Sequence, residues 1–149
     1  MPESTYTFTM AMNEKLIRDL YELYQGEWWT QGRSLDDIRL MLQHSDFLFA
    51  FCNESDGHLV AFARVLTDMV FKAFIFDFIV APKHRHDGVG RRLMERILQH
   101  SDLRNVRHIE LYCLPELVPF YEKLGFSADV SGVCLMRKAA LTRLYFRNA

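Results

Sequence analysis

The fold of this chain is decided by residues 76–94, which read FDFIVAPKHRHDGVGRRLM. The apolar run from Phe74 to Val80 is interrupted only at Asp77 and is rich in β-branched and aromatic residues, so it predicts a buried central strand. Pro82 lacks the N–H group that a strand ladder needs, so the strand ends there. From Val89 onward the apolar residues follow a helical period, which predicts a helix directly after a short turn.

Two glycines lie in that turn. Gly88 and Gly90 permit backbone torsions and close approaches that a Cβ atom would prevent. Backbone N–H groups at the beginning of a helix are a good receptor for phosphate oxygens. Residues 83–96 contain five cations and two acids, which favours an anionic partner over a plain solvated face. The turn is therefore predicted to bind phosphate.

The spacing Arg85-x-x-Gly88-x-Gly90, behind a strand of the form Asp-x-x-Val-x-Pro, resembles the acyl-CoA pyrophosphate loop of the GNAT N-acetyltransferases. It is not a Walker loop, because no Gly-Lys-Ser/Thr follows, and it lacks the Gly-x-Gly-x-x-Gly of dinucleotide folds. The resemblance implies acetyl-CoA as co-substrate, with its pyrophosphate on the turn and its pantetheine arm paired with the strand end like an added strand. The residues that it assigns to the cofactor are Phe78, Ile79, Val80, Arg85, His86, Asp87, Gly88, Val89, Gly90 and Arg91.

Two further details of the cofactor site follow from this resemblance. One N–H group among residues 78–80 would hold the thioester carbonyl as it gains charge. Arg85 would either bind a phosphate with its guanidinium group or brace the loop.

A second motif lies further along, where residues 120–126 read FYEKLGF. It resembles the family signature Phe-Tyr-x-Lys-x-Gly-Phe, in which the tyrosine hydroxyl lies near the thioester sulfur. A free phenol titrates near ~10, so Tyr121 is predicted to be the general acid that protonates the departing thiolate. Many family members carry an asparagine seven residues before this tyrosine, whereas this chain has Leu114. The substitution removes a side-chain contact to the pantetheine arm.

The acceptor amine must lose a proton before it attacks, since an alkylammonium group titrates near ~10. Asp77 and Glu110, on two neighbouring predicted strands, are the candidate bases, acting through water; the alternative is that each is an ordinary strand residue. Cys113 is an alternative nucleophile, although a strand cysteine with no base close in the sequence is more often inert.

The loop between the first two predicted helices borders the acceptor pocket in the family. Trp28, Trp29 and Arg33 lie in it and are the candidate substrate-binding residues. The two tryptophans would form an aromatic wall for a cationic amine, helped by nearby acids. In the alternative, one tryptophan is core and the other shields it.

The predicted element order β-α-α-β-β-β-α-β-α-β-β is similar to the GNAT fold, an α+β (α/β/α) architecture. It implies a mixed, mostly antiparallel sheet with a splayed central strand pair and about four helices. Early in the chain, one helix is predicted from Asn13 and a second from a capping box at Ser34. Later strands are predicted over residues 108–113, 126–130 and 132–137. A length of 149 residues, half of them hydrophobic, predicts a single globular domain, 1–149. Residues 139–149 allow a packed helical turn.

Charge and cysteine content limit the partners. The net charge is −1, which gives no basic face for nucleic acid, and no apolar run approaches the roughly 20 residues that a membrane span needs. Three cysteines without metal-type spacing suit a reducing cytoplasm. The sequence thus predicts a cytoplasmic N-acetyltransferase with a small-molecule or peptide amine acceptor, and a homodimer is possible from the fold. The alternative is a non-catalytic acyl-CoA-sensing or partner-binding module on the same fold.

Overall fold

The computed structural model describes residues 5–140 and divides into two compact units after Leu114. The predicted single domain therefore stays a prediction, and the predicted tail over residues 139–149 lies almost wholly outside the described residues. The first unit contains five strands, three α-helices and one 3-10 turn: β1 (Tyr6–Thr9), α1 (Glu14–Gln25), α2 (Leu35–Gln43), β2 (Phe47–Asn53), β3 (Leu59–Thr67), β4 (Lys72–Val80), the 3-10 turn (Pro82–His84), α3 (Val89–Gln99) and β5 (His108–Glu110). The second contains a 3-10 turn (Pro115–Leu117) and α4 (Val118–Glu122).

The sheet of the first unit has the strand order β1-β2-β3-β4-β5. Its strands are antiparallel except for β4 and β5, which are parallel. Four α-helices and a mixed sheet confirm the predicted α+β class and the mostly antiparallel pairing. In the described part, no helix is long and apolar enough to cross a membrane.

Side chains cap the two helices that follow β1. Asn13 Oδ1 accepts a hydrogen bond from the backbone N–H of Leu16 at 2.9 Å, and Ser34 Oγ accepts one from Asp37 at 3.1 Å. Each cap satisfies an N–H group that the first helical turn leaves without an intrahelical partner. The boundaries of α1 and α2 are thus set by their local sequence, as predicted.

The core lies on both faces of the sheet. One apolar cluster joins α1 and α2 to β2, β3 and β4 through residues such as Leu20, Ile38, Phe62 and Ile79. The helix α3 packs against the same three strands, with Val89, Leu93, Met94 and Ile97 buried. Because side chains alternate along a strand, neighbouring strand residues serve the two layers.

Two predicted elements differ from the structure. The predicted strand over residues 108–113 ends at Glu110, because its pairing with β4 stops there and residues 111–114 have no ladder to join. The predicted hairpin over residues 126–137 is wrong, since the structure has no strand between residues 126 and 140. A tight turn does form, in which Val133 N–H donates to Val130 at 3.3 Å, but strand pairing does not extend from it. Alternating apolar residues specify a strand only where a neighbouring strand supplies hydrogen bonds.

Candidate active site

The turn between β4 and α3 presents backbone N–H groups at the beginning of a helix. Gly88 is the N-cap of α3 with φ of 79°, and His86 also has a positive φ, of 74°. The N–H groups of residues 88–91 stand at the N-cap and in the first turn of α3, where a helix leaves its N–H groups without intrahelical partners. These amides form the geometry that binds phosphate oxygens at a helix N-terminus. The structure thus brings together the residues that were predicted to hold the pyrophosphate.

The side chains of this turn are held from outside it. Tyr6 Oη, on β1, lies 2.9 Å from His84 Nδ1 and donates to Asp87 Oδ2 at 3.2 Å. Arg85 Nε donates to the Val80 carbonyl at 3.1 Å, and its Nη2 donates to Glu27 Oε1 at 2.5 Å. Of the two predicted roles of Arg85, these contacts support bracing of the loop.

The strand β4 carries a bulge at Asp77. Phe76 pairs with Arg64 and Ile79 pairs with Phe62, so β4 has one more residue than β3 over the same interval. Asp77 itself has φ of 55°, a left-handed conformation that aspartate tolerates better than most residues. A bulge bends a strand and redirects its side chains. It lies immediately before the residues that are predicted to receive the pantetheine arm.

The Asp77 carboxylate is almost completely buried and hydrogen-bonded from three directions. Arg33 contacts both of its oxygens, with Nη1 at 2.7 Å and Nη2 at 3.2 Å. Arg64 Nε donates to Oδ2 at 2.8 Å, and Tyr24 Oη donates to the same oxygen at 3.1 Å. Burial alone would raise the pKa of Asp77, but the hydrogen bonds and charge of Arg33, followed by those of Arg64, outweigh it and lower the pKa.

The role of Asp77 as a general base stays a prediction, and these contacts weigh against it. A carboxylate that is shared by two guanidinium groups and has a lowered pKa is a weak proton acceptor. The sequence showed Asp77 as an acid inside a strand, but its two arginines come from distant segments. Asp77 is instead suited to hold the bulge in place.

The strands β4 and β5 part just before this bulge. Their register runs from Lys72 paired with His108 to Phe74 paired with Glu110, and pairing stops there in the described part. Glu110 is the last residue of β5, and its carboxylate forms an ion pair with Lys72. Its side chain is about one-third exposed, so Glu110 lies where the two strands separate and water reaches it.

The loop between α1 and α2 is held by internal hydrogen bonds. Thr30 is buried, and its Oγ1 donates to the Tyr24 carbonyl at 2.9 Å. Trp28 and Trp29 are both exposed, at 72% and 38%, so neither belongs to the core. Arg33 points inward, with its guanidinium group 4.8 Å from the centre of the Tyr24 ring. The predicted acceptor residues thus separate into two exposed aromatic residues and one arginine that binds Asp77.

In the second unit, Tyr121 lies in the last turn of α4 and is buried. Its ring makes edge contacts with Phe120 at 5.0 Å and Phe126 at 6.0 Å between ring centres. Gly125, three residues beyond the end of α4, has φ of 96°, the left-handed conformation that the glycine in the motif predicts. Local packing therefore restricts the orientation of the Tyr121 ring.

Four residues that the sequence analysis did not assign contact the site: Tyr6, Tyr24, Glu27 and Arg64. Each lies on a different segment from the residue that it contacts. The one signal in the sequence was Asp77 itself, because a buried acid in an apolar strand requires a cationic partner. Nothing in the spacing showed which arginines would supply it.

Comparison with known proteins adds to this geometry. A family model described as "Acetyltransferase (GNAT) family" matches residues 14–126. The chain is 37% identical over 101 residues to GCN5-related N-acetyltransferase 1, chloroplastic, of Arabidopsis thaliana, a match that covers 68% of this chain and 51% of that protein. It is 36% identical over 103 residues to serotonin N-acetyltransferase 2, chloroplastic, of Oryza sativa subsp. japonica, covering 68% and 52%. The matched part thus spans about half the length of each of these relatives.

A solved structure from Xanthomonas campestris pv. campestris, assigned to the GNAT family of acetyltransferases, superposes with a TM-score of 0.78 at 28% identity. The match covers 94% of this chain and 95% of that one. The family model covers well over half of the chain, and it includes both the glycine turn and the FYEKLGF motif. This chain therefore belongs to the GNAT family of acetyltransferases.

Proposed function

We propose that this protein transfers an acetyl group from acetyl-CoA to a primary amine by direct attack in a ternary complex. The observation that carries the proposal is the row of backbone N–H groups at residues 86–91, which begins α3 beside the end of β4. Acetyl transfer to an amine is the general reaction of the GNAT family, to which the chain belongs. The direct mechanism, the acceptor and the roles of individual residues are our proposal.

The cofactor would bind along β4 and its following turn. The pyrophosphate lies on the amides of residues 86–91, where the helix dipole also favours negative charge. The pantetheine arm runs beside residues 78–80, beyond the point where pairing with β5 stops. One N–H group there holds the thioester carbonyl oxygen as it gains charge. Leu114, in place of the usual asparagine, leaves this backbone pairing as the main contact to the arm.

The reaction requires proton transfers at the amine and at the sulfur. Glu110, at the exposed end of β5, takes one proton of the acceptor ammonium group through water before the attack. The amine nitrogen then bonds to the carbonyl carbon and releases a second proton to water, the C–S bond breaks, and Tyr121 Oη donates a proton to the departing thiolate. Solvent later returns a proton to Tyr121. Asp77 does not take part as a base, because Arg33 and Arg64 hold its carboxylate.

The test combines calorimetry with acetyl-CoA and a thiol-release assay over a panel of amines. We expect acetyl-CoA binding and thiol release with at least one amine. The panel should include serotonin, since the name of the rice relative refers to that arylalkylamine. Binding without turnover across a broad panel would favour the alternative, an acyl-CoA-sensing module. Absence of acetyl-CoA binding would overturn both.

Tyr121→Phe tests the general acid. Removal of the hydroxyl should lower kcat by about 100-fold, because a positioned acid contributes on that order, while the Kd of acetyl-CoA changes by less than about twofold. Phenylalanine keeps the ring contacts with Phe120 and Phe126, so thermal unfolding serves as the folding control. Unchanged kcat would remove Tyr121 from the mechanism.

Cys113→Ala separates direct attack from a covalent route. In the direct mechanism no bond forms to the Cys113 thiol, so kcat should stay within about twofold of the unmodified protein. A large loss of activity in a normally folded variant, together with an acetylated protein detected by mass spectrometry, would favour an acyl-enzyme.

The cytoplasmic location and the homodimer stay predictions. The chloroplast is named for the two plant relatives and is a property of those proteins. Sedimentation of the purified chain would test the oligomeric state.

A further inference from the structure

The charges around the bulge of β4 do not balance. Asp77 is the one acid within ion-pair distance of either Arg33 or Arg64 in the described part, so two guanidinium groups share one carboxylate. Tyr24, the third partner, stays neutral because burial raises the pKa of its phenol. The second acid that was expected to attract a cationic amine, Glu110, is already paired with Lys72. The group at Arg33, Arg64 and Asp77 therefore carries a net positive charge.

One of these arginines has an open side. Arg64 uses Nε to bind Asp77, and its guanidinium group lies 4.7 Å from the centre of the Phe76 ring. In the described part, Nη1 and Nη2 of Arg64 make no hydrogen bond, and no buried side-chain nitrogen is left without a partner. Each Nη atom therefore keeps some contact with solvent, and the Arg64 side chain as a whole is 15% exposed. Two parallel N–H groups of this kind match a carboxylate or phosphate in bidentate geometry.

The position of this open side matters because the reaction is proposed to occur next to it. Arg64 pairs with Phe76, two residues before the first residue that would contact the pantetheine arm. Two residues of strand span about 7 Å. An acceptor whose amine reaches the thioester could therefore place a second group on Arg64 if the two groups are separated by a few bonds.

We infer that the acceptor is a short primary amine that carries an anionic group, a carboxylate or a phosphate, bound by Arg64. This inference rests on the proposed acetyltransferase function and narrows its substrate class. It narrows the cationic amine that the sequence predicted to one that also carries an anion, because each acid on which that prediction depended already forms an ion pair in the structure. Asp77, which is itself held by Arg33, binds Nε of Arg64 and thereby fixes the orientation of the Arg64 guanidinium plane.

The test uses matched amines that differ in the anionic group. For the carboxylate, ω-amino acids from glycine to 6-aminohexanoate are compared with alkylamines of equal chain length; for the phosphate, phosphoethanolamine is compared with ethanolamine. We expect kcat/KM to be about 10- to 100-fold higher for the anionic member, the range of a charge-assisted hydrogen bond. The preference should be greatest where amine and anion are about 7 Å apart. The comparison that shows the larger preference, carboxylate or phosphate, identifies the anion.

Variants separate recognition from folding. Arg64→Gln should bring the ratio of kcat/KM within each matched pair close to one, whereas Arg64→Lys should retain part of the preference because the charge remains. Arg39→Gln is the control, since Arg39 pairs with Glu14 and Asp36 on the surface of α1 and α2. Equal activity on amines with and without the anionic group, or an unchanged preference in Arg64→Gln, would overturn the inference and leave Arg64 a structural role.

A binding measurement covers the case in which no amine of the panel is acetylated. Calorimetry of the CoA-saturated protein with 4-aminobutyrate and with butylamine should show binding of the first alone. Binding of neither overturns the inference, while the cofactor part of the proposed function stands as long as acetyl-CoA binds. Loss of acetyl-CoA binding overturns the proposed function itself.

Discussion

The turn after β4 and the bulge within β4 are separated by only a few residues, and they present opposite kinds of surface. The turn presents backbone: the N–H groups of residues 86–91 lie at the beginning of α3, while the side chains of Asp87 and Arg85 bind Tyr6 and Glu27. The bulge presents side chains: the Asp77 carboxylate is bound by two arginines and a tyrosine. We therefore propose that anion recognition rests on amides in the first region and on a guanidinium group in the second.

The difference shows how each region depends on the sequence. The turn is a local structure, because its geometry follows from torsions at His86 and Gly88. The bulge is a tertiary structure, because the partners of Asp77 are 13, 44 and 53 residues away along the chain. Substitutions in the turn should therefore lower acetyl-CoA binding, whereas substitutions at the bulge should lower stability.

The largest effect is expected at Gly88. Gly88→Val places a β-branched residue at φ of 79° and a side chain where the pyrophosphate would approach, so acetyl-CoA binding should fall by more than about 100-fold. Gly57→Val is the matched control. Gly57 has a similar φ of 72°, and a Cβ atom at either glycine meets no atom within 4 Å.

Both variants carry the same kind of backbone strain, so the difference between them reports on the ligand. Calorimetry with acetyl-CoA measures it, and thermal unfolding measures the shared strain. Equal binding by both variants would contradict the assignment of the turn.

The next effect is expected at Asp77, as a loss of stability. Asp77→Asn leaves two partly buried arginines without an anion, which should lower the free energy of unfolding at pH 7 by about 3 kcal/mol. The folded-state pKa of Asp77 is lowered, so its contribution is present above the unfolded value of about 3.9 and is lost as pH falls through the folded value.

Urea unfolding at a series of pH values measures this difference. It should be greatest near neutral pH and shrink as the pH falls below about 4. Asp36→Asn, at an exposed acid paired with Arg39, should change stability by less than about 1 kcal/mol. A constant difference between the Asp77 variant and the unmodified protein at all pH values would show that the ion pairs are not its source.

The smallest effect is expected at Tyr6, which joins β1 to the turn. Tyr6→Phe removes the hydroxyl that contacts His84 and Asp87 but keeps the ring, so the turn loses a side-chain anchor. One lost hydrogen bond corresponds to about 1 kcal/mol, so acetyl-CoA affinity should fall by about fivefold without a change in the KM of the amine.

Tyr21→Phe is the control, because Tyr21 lies on α1 and packs against the α1–α2 core. An equal effect of the two substitutions on acetyl-CoA affinity would show that the hydroxyl of Tyr6 does not position the turn.

Much of the fold was predictable because its signals are local. Asn13 and Ser34 mark helix beginnings through side-chain caps, and the strand, turn and helix of residues 76–94 follow from proline, glycine and apolar periodicity. The parting of β4 and β5 was predictable only through resemblance to the family. The hairpin over residues 126–137 was predicted wrongly, because alternation in one segment does not show whether a partner strand is present.

The candidate site also has one part that was predictable from the sequence and one part that was not. The amides of residues 86–91 could be assigned from the motif, since torsions at glycine and the start of a helix depend on neighbouring residues alone. The charge of the acceptor region could not be assigned from the sequence. Asp77 was visible as an acid in the sequence, but its bond to Arg64 depends on a bulge that shifts the register of two strands.

The sequence by itself therefore determined the class of fold, the family and the location of the turn that we propose to bind phosphate, because each of these depends on short segments. Only the tertiary structure decided the sign of the charge at the bulge of β4. An acid expected to attract a cation is enclosed by Arg33 and Arg64, and electrostatic interactions depend on distance in space and not on separation along the chain.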